Sequence, residues 1–419
     1  MARQHMKRNI RLSTKDIQIK RENALDLFYS GIKSKETKRT MEGNLKVFLV
    51  DACVDILQGN FMERAQQFVN LAKEDQQQAV QVVLAYVAKL RERTRLDKLD
   101  SDYLNPSTIP NKIKPIRKLL DMNNLGLAWK RIYSTYPELD NKHQGRGYSL
   151  EELRKIYEYS DSIETDFIIL ASSSGGLRVG AWDNLTWGCV FPIYQVGNDY
   201  KTELGKDEEK KTVCAGMTIY KGTTEEYDTL ISIEAWDKVE EYRKTWTKKT
   251  GRLPVDSDPL ILEHFTKPRS LTSIAVKKRI EGILVRSGIR TPLTEGKRRH
   301  TVPATHGFRR YWDKVMMNSL KKKDTLGALV LKERLMGHDG LVHTDKNYYW
   351  TNILDSVPHY LEVMPYLMIS EEIRLKKKLE DEKLQLERFN HENNEVHAQL
   401  RQLEMKVERL TRYQQDHRL

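Results

Sequence analysis

From Ile17 to Met122, apolar residues recur at three- and four-residue spacing, through Ile17–Tyr29, Ser34–Leu57, Phe61–Ala72, Gln76–Arg93 and Pro110–Met122, with breaks at Gly59 and Pro106. Such a period places one apolar stripe on each helix, and a stripe must be buried against another. Residues 1–136 are therefore expected to form a helical bundle. Between Pro137 and Gly147 the period stops in a polar, Gly-containing stretch, read as a linker over 137–147.

A second domain, 148–365, is expected to begin at Tyr148. Ser149 followed three residues later by Glu152 reads as a capping box opening a helix over Leu150–Tyr159, and a more apolar helix follows over Thr165–Ser172. The pattern then changes to short β-rich runs, Val190–Val196, Thr212–Tyr220 and Asp228–Ile233, separated by turn residues. Helices return at Ala235–Thr247, Ser270–Ser287, Gly307–Asn318 and Leu326–Met336. The predicted fold class is mainly α with a small antiparallel β-sheet. A tail, 366–419, ends the chain with heptads over 372–413. With Glu372, Leu379, Leu386, Asn393, Leu400 and Val407 at position a, position d falls on Leu375, Glu382, Phe389, Val396, Leu403 and Leu410, so nine of twelve core positions are apolar. A repeat this long predicts a coiled-coil helix, and a lone Asn at an a position fixes register and a two-stranded state. The alternative is one long helix folded back on the body with its stripe buried there.

Composition narrows the function. The 419 residues carry 71 Lys+Arg against 59 Asp+Glu, a formal charge of +12. Residues 1–147 hold 27 basic and 17 acidic side chains, net +10, whereas 371–419 are balanced at 11 and 11. A polyanion such as double-stranded DNA would be gripped mainly by the N-terminal third, in a salt-sensitive way; on charge alone the alternative is a lysine-rich solubilising surface. No apolar run reaches membrane-span length and the first residues lack an apolar signal core, so a membrane or secreted protein is not expected. Three scattered cysteines fit neither a disulfide framework nor a zinc site. A cytoplasmic protein without metal or other cofactor is expected, and nucleoid association would follow only from DNA binding.

Three distant segments each pair a cation or imidazole with residues that restrict its placement: Gly175-Gly176-Leu177-Arg178-Val179, Thr305-His306-Gly307-Phe308-Arg309-Arg310, and Arg334-Leu335-Met336-Gly337-His338, with Tyr348 and Tyr349 shortly after. His306 and Arg309, three apart, share a helix face. Two arginines, two histidines and a tyrosine suit metal-free phosphodiester transesterification. Guanidinium forks bind the nonbridging oxygens of a pentavalent phosphorus, a tyrosine attacks it to form a phosphotyrosyl link, and imidazoles move protons.

These segments resemble the three catalytic boxes of the tyrosine recombinase (phage integrase) family, and the resemblance spans roughly residues 20–360. It implies a helical DNA core-binding domain and a mixed α/β catalytic domain clamping duplex DNA, with self-association into dimers or tetramers on it, here possible through the coiled coil. It also implies that Arg178, His306, Arg309 and His338 are catalytic. Lys221, in Ile219-Tyr220-Lys221-Gly222-Thr223 before the third β run, matches the hairpin lysine that protonates the leaving 5′ oxygen. The implied activity is site-specific DNA recombination or integration for a mobile element through a 3′-phosphotyrosine. The sequence departs from the family twice. The acidic residue three after the first arginine is replaced by Ala181, with Asp183 two further on; the usual histidine-to-tyrosine distance lands on Asn347, so one inserted residue selects Tyr348 as nucleophile and two select Tyr349. The same chemistry serves Xer-like and telomere resolvases and type IB topoisomerases, and a reading of another class is a non-catalytic DNA-binding coiled-coil scaffold.

Overall fold

The computed structural model describes residues 23–138, 145–206, 208–264, 267–293, 300, 302–320, 325–338, 352–372 and scattered positions from 374 to 407. These divide into two compact units, the main boundary lying between Gln144 and Gly145 and Leu293 falling with the first.

In the first unit, Asn23 caps α1 (Ala24–Ser30) by accepting from Leu25 N and Asp26 N, and an Asn60/Glu63 capping box opens α3 (Phe61–Glu74). With α2 (Lys35–Lys46), α4 (Gln76–Thr94), α5 (Ile109–Met122) and the short α6 (Trp129–Tyr133), they enclose a core that includes Phe28, Phe48, Phe68 and Ile113. Phe48 and Phe68 meet edge to face at 5.1 Å. The helix expected from Ser34 to Leu57 is not uniform. After α2 it widens into a π-helical stretch, Val47–Ala52, in which Cys53 N bonds Phe48 O. Arg64 supplies the cause: its Nη1 donates to Leu49 O and Val50 O (3.2 and 3.0 Å) and its Nε to Gly59 O (2.8 Å), drawing carbonyls away from the regular ladder.

The second unit is built round α8 (Ile163–Gly175), whose residues from Phe167 to Gly175 are all buried. Packed around or beside it are α7 (Leu150–Glu158), β4 (Tyr227–Ile231), α9 (Ile233–Thr250), α11 (Ala304–Leu320) and α13 (Val357–Leu367). The antiparallel sheet has the order β2-β1-β3-β4, with β1 (Val190–Val196), β2 (Asp199–Lys201) and β3 (Thr212–Ile219). Register pairs Val190 with Met217 and Ile219 with Tyr227, so the β3–β4 turn carries Tyr220 and Lys221. A two-stranded ribbon, β5 (Leu262–His264) with β6 (Lys267–Ser270), precedes α10 (Ser273–Arg286), and α12 (Thr325–Leu335) follows α11. No described helix is long and apolar enough to cross a membrane.

The tail leaves this unit through a fixed point: buried Glu234 of α9 accepts from Ile369 N (2.9 Å) and Ser370 N (2.8 Å). The described tail positions are helical, and Leu375, Leu379, Leu386, Phe389, Val396, Leu400 and Leu403 are each 48–60% exposed. The described seam side chains are thus not buried against the body.

Candidate active site

The last carbonyls of a helix have no partner inside it. At the end of α8 other elements take them up: Ser174 O accepts from Trp312 Nε1 (2.8 Å) and Tyr360 Oη (2.9 Å), and Gly175 O from Thr229 Oγ1 (3.1 Å). Gly176 then turns the chain at φ 61°, where a Cβ would lie 2.8 Å from the Trp312 ring, so both conformation and space demand glycine. The turn delivers Arg178 just ahead of a 3₁₀ turn over Val179–Asn184.

Arg178 donates from both terminal nitrogens to Gly337 O, each at 3.3 Å. Arg309, on α11 and only 6% exposed, donates to Gly176 O (2.5 Å) and Met336 O (2.8 Å), and its Nη2 lies 3.0 Å from His338 Nε2. The first and third segments are therefore tied together through the arginine of the second. His338 Nδ1 lies 2.6 Å from Glu333 Oε2, and Lys332 Nζ bridges Glu333 (3.0 Å) and Asp313 (2.9 Å). Gly337 has φ 63°, and a Cβ there would sit 2.3 Å from the ring of Tyr227, over which the Arg178 guanidinium lies at 5.9 Å.

Among the described residues, neither Arg178 nor Arg309 forms an ion pair. Burial, and next the Arg178 charge, lower the pKa of Arg309. Two mutually repelling guanidinium groups, held by carbonyl oxygens and, for Arg309, by the His338 ring, make a site that an anion relieves. His306 is exposed on the same helix as Arg309, and desolvation of its ring followed by Arg310, Arg309 and Arg178 hold it below the ordinary histidine value, favouring the neutral imidazole.

Lys221 stands apart from this group in its contacts: it is exposed on the β3–β4 turn and its Nζ donates to Gly188 O at 3.0 Å. Asp183 is also engaged elsewhere, accepting from Ser273 N (2.6 Å) and Ser273 Oγ (2.8 Å) at the start of α10, and Ala181 is buried. Gly337 O occupies the Arg178 donors that a carboxylate would otherwise take. Tyr348 and Tyr349 lie outside the described residues. Two neighbours of the site went unread in the sequence, Glu333 and Tyr227. The first had a faint signal, a carboxylate on the last turn of a helix whose next polar group is His338; the second had none beyond being an aromatic at a strand start.

In the first unit, α5 turns Lys114 and Arg117 outward, with Lys118 half-buried, beside a groove also lined by Tyr133 and Tyr136. Arg117 donates to Tyr133 Oη (3.0 Å) and lies 5.9 Å from the Trp129 ring, while adjacent α2 adds Lys38, Arg39 and Lys46. Cations interleaved with aromatic faces suit a phosphate backbone.

No family model and no curated protein sequence matches the chain. Solved structures do match. A XerA recombinase aligns at 12% identity over 86% of this chain and 97% of its own, with a TM-score of 0.32. The Tn1549 transposon integrase in complex with transposon right-end DNA aligns at 12% over 81% and 99%, with a TM-score of 0.44. The XerH site-specific recombinase bound to its difH substrate aligns at 16% over 77% and 96%, with a TM-score of 0.38. By name these three are two recombinases and a transposon integrase.

Proposed function

We propose that this chain is a site-specific DNA recombinase or integrase, of the tyrosine recombinase family and serving a mobile element, that cuts and rejoins strands through a covalent 3′-phosphotyrosine. The observation that carries this reading is the pair Arg178 and Arg309, brought together across 131 residues of sequence with carbonyl and imidazole partners and no described ion pair.

In the proposed step, the phenolic oxygen of Tyr348, or of Tyr349, attacks the scissile phosphorus and the bond to the 5′ oxygen breaks. Arg178 and Arg309 take up the charge that gathers on the two nonbridging oxygens. The nucleophile's proton passes to His306, favoured in its neutral form, and Lys221 protonates the departing 5′ oxygen after leaving Gly188 O. Rejoining reverses the step with a new 5′ hydroxyl. The helical unit, residues 1–136, grips the duplex through its basic face; residues 148–365 carry the chemistry; and the 366–419 seam pairs with a second copy as a coiled coil.

The test is a nicked suicide substrate, incubated in EDTA and analysed for a covalent protein–DNA adduct. Wild type is expected to form it. Tyr348→Phe abolishes it with DNA binding intact, and Arg178→Ala or Arg309→Ala lowers its rate by about 100-fold or more. If Tyr349→Phe is the null variant instead, the nucleophile is Tyr349; adduct from both variants overturns the mechanism.

A further inference from the structure

Tyr227 opens β4 opposite Ile219, and its ring is enclosed by three parts of the site: Gly337 against its edge, the Arg178 guanidinium 5.9 Å from its centroid, and Tyr220 at 6.3 Å. Its Oη is buried with the Arg309 and Arg178 donors beside it, and its own O–H has no acceptor among the described residues. Leaving a hydroxyl buried and unsatisfied costs about 1–3 kcal/mol, and native structures rarely keep one without use. The environment is specific. Burial raises the phenol's pKa while Arg309 and Arg178 pull it down, so both guanidinium groups stand close enough to act on this oxygen. Guanidinium groups only donate, and so cannot take the phenol's proton; an acceptor for it has to come from outside the described chain.

We propose that Tyr227 is a phosphate-binding residue, its phenol O–H donating to a nonbridging oxygen of the scissile phosphate held between Arg178 and Arg309. This rests on the recombinase reading. The donor is fixed before the substrate arrives: Gly337 leaves room for the ring at a φ of 63°, and the strand pairing with Ile219 sets its backbone. A preorganised donor of this kind gains most when the oxygen's charge grows, so its effect falls on the cleavage rate and little on DNA affinity.

The experiment measures single-turnover adduct formation and DNA affinity for the full-length wild type and Tyr227→Phe. The substrates are the nicked duplex and its two methylphosphonate diastereomers, in each of which a methyl group replaces one nonbridging oxygen of the scissile phosphate. Tyr227→Phe removes one oxygen atom and keeps the ring. It is expected to slow cleavage of the phosphate by about 100-fold, to change affinity by less than about threefold, and to lose its effect on one diastereomer while keeping it on the other. A variant that matches wild type on the phosphate overturns the assignment, as does equal slowing on both diastereomers, which would make Tyr227 a packing residue. If wild type itself forms no adduct, the recombinase reading falls and Tyr227's role with it.

Discussion

His338 and Glu333 face each other across 2.6 Å, from Nδ1 to Oε2, at the end of α12. Because Arg309 Nη2, which can only donate, stands 3.0 Å from the other ring nitrogen, Nε2 must accept and the proton must sit on Nδ1. Glu333 thereby fixes the tautomer. Burial raises this carboxyl's pKa, but Lys332 and His338 outweigh it and the net direction is down. The folded chain binds that proton less readily than the unfolded chain, whose value is near 4.5, so the stabilisation is complete above that pH and fades as pH falls through the lower folded value. Glu333→Gln should cost about 2 kcal/mol at pH 7. Denaturant titrations should show the gap to wild type closing below pH 4.5.

His306 should titrate below 6.5, because partial desolvation of its ring and then the neighbouring arginines disfavour its charged form. Its lowered value means that the unfolded chain takes up this proton first, so His306 lowers stability as pH falls through 6.5 and leaves it unaffected above. An NMR titration of the ring protons tests this directly. Arg310→Ala should move the midpoint upward without restoring it to 6.5, since desolvation is the larger cause.

What the sequence made legible depended on the range of the forces involved. Val190–Val196 was read to the residue because alternation and turn residues are local, and the Ser149/Glu152 box was read for the same reason. The α13 helix, Val357–Leu367, escaped because Pro358 and Pro365 lie within it and its partners, such as Ser174 for Tyr360, lie far upstream. In the site, Arg178, Arg309 and His338 were legible through the glycines beside them. Tyr227 was not, because its role is set by the strand pairing that brings it beneath Arg178. Asp183, the acidic side chain nearest in sequence to Ala181, is taken up by the α10 N-terminus.

Arg64 should matter for stability although it lies outside any reaction. Its guanidinium satisfies Leu49 O, Val50 O and Gly59 O, two of them inside the π-helical stretch. Arg64→Met keeps apolar bulk and removes every one of these bonds. A loss of about 1–3 kcal/mol is expected by denaturant titration, with adduct chemistry per folded molecule unchanged.

DNA affinity should respond to α5. Lys114 and Lys118 line the basic groove, and neutralising a phosphate-contacting lysine removes one released counterion. The double variant Lys114→Ala/Lys118→Ala should weaken binding about equally across duplex sequences and reduce the log–log salt slope by about 2. An unchanged slope would place the DNA contacts on another face of the chain.

The tail should pair full-length chains. Eight described apolar a and d side chains are 48–60% exposed, and the tail's first residues are anchored by Glu234, so the helix is attached firmly at its root while its seam remains accessible. In a parallel pair the two Asn393 side chains at position a face each other and hydrogen-bond across the seam; a shift of one heptad would set each against an apolar layer. Glu382 at a d position opposes its own copy and weakens the pair locally. Sedimentation of the full chain at about 100 μM, where weak coiled coils associate, should therefore give a dimer that is lost on truncation after Ser370. Asn393→Leu should tighten association and broaden the oligomer distribution, because the register constraint is gone. A full chain that sediments as a monomer at that concentration, with or without Asn393, would exclude the seam as an interface between copies.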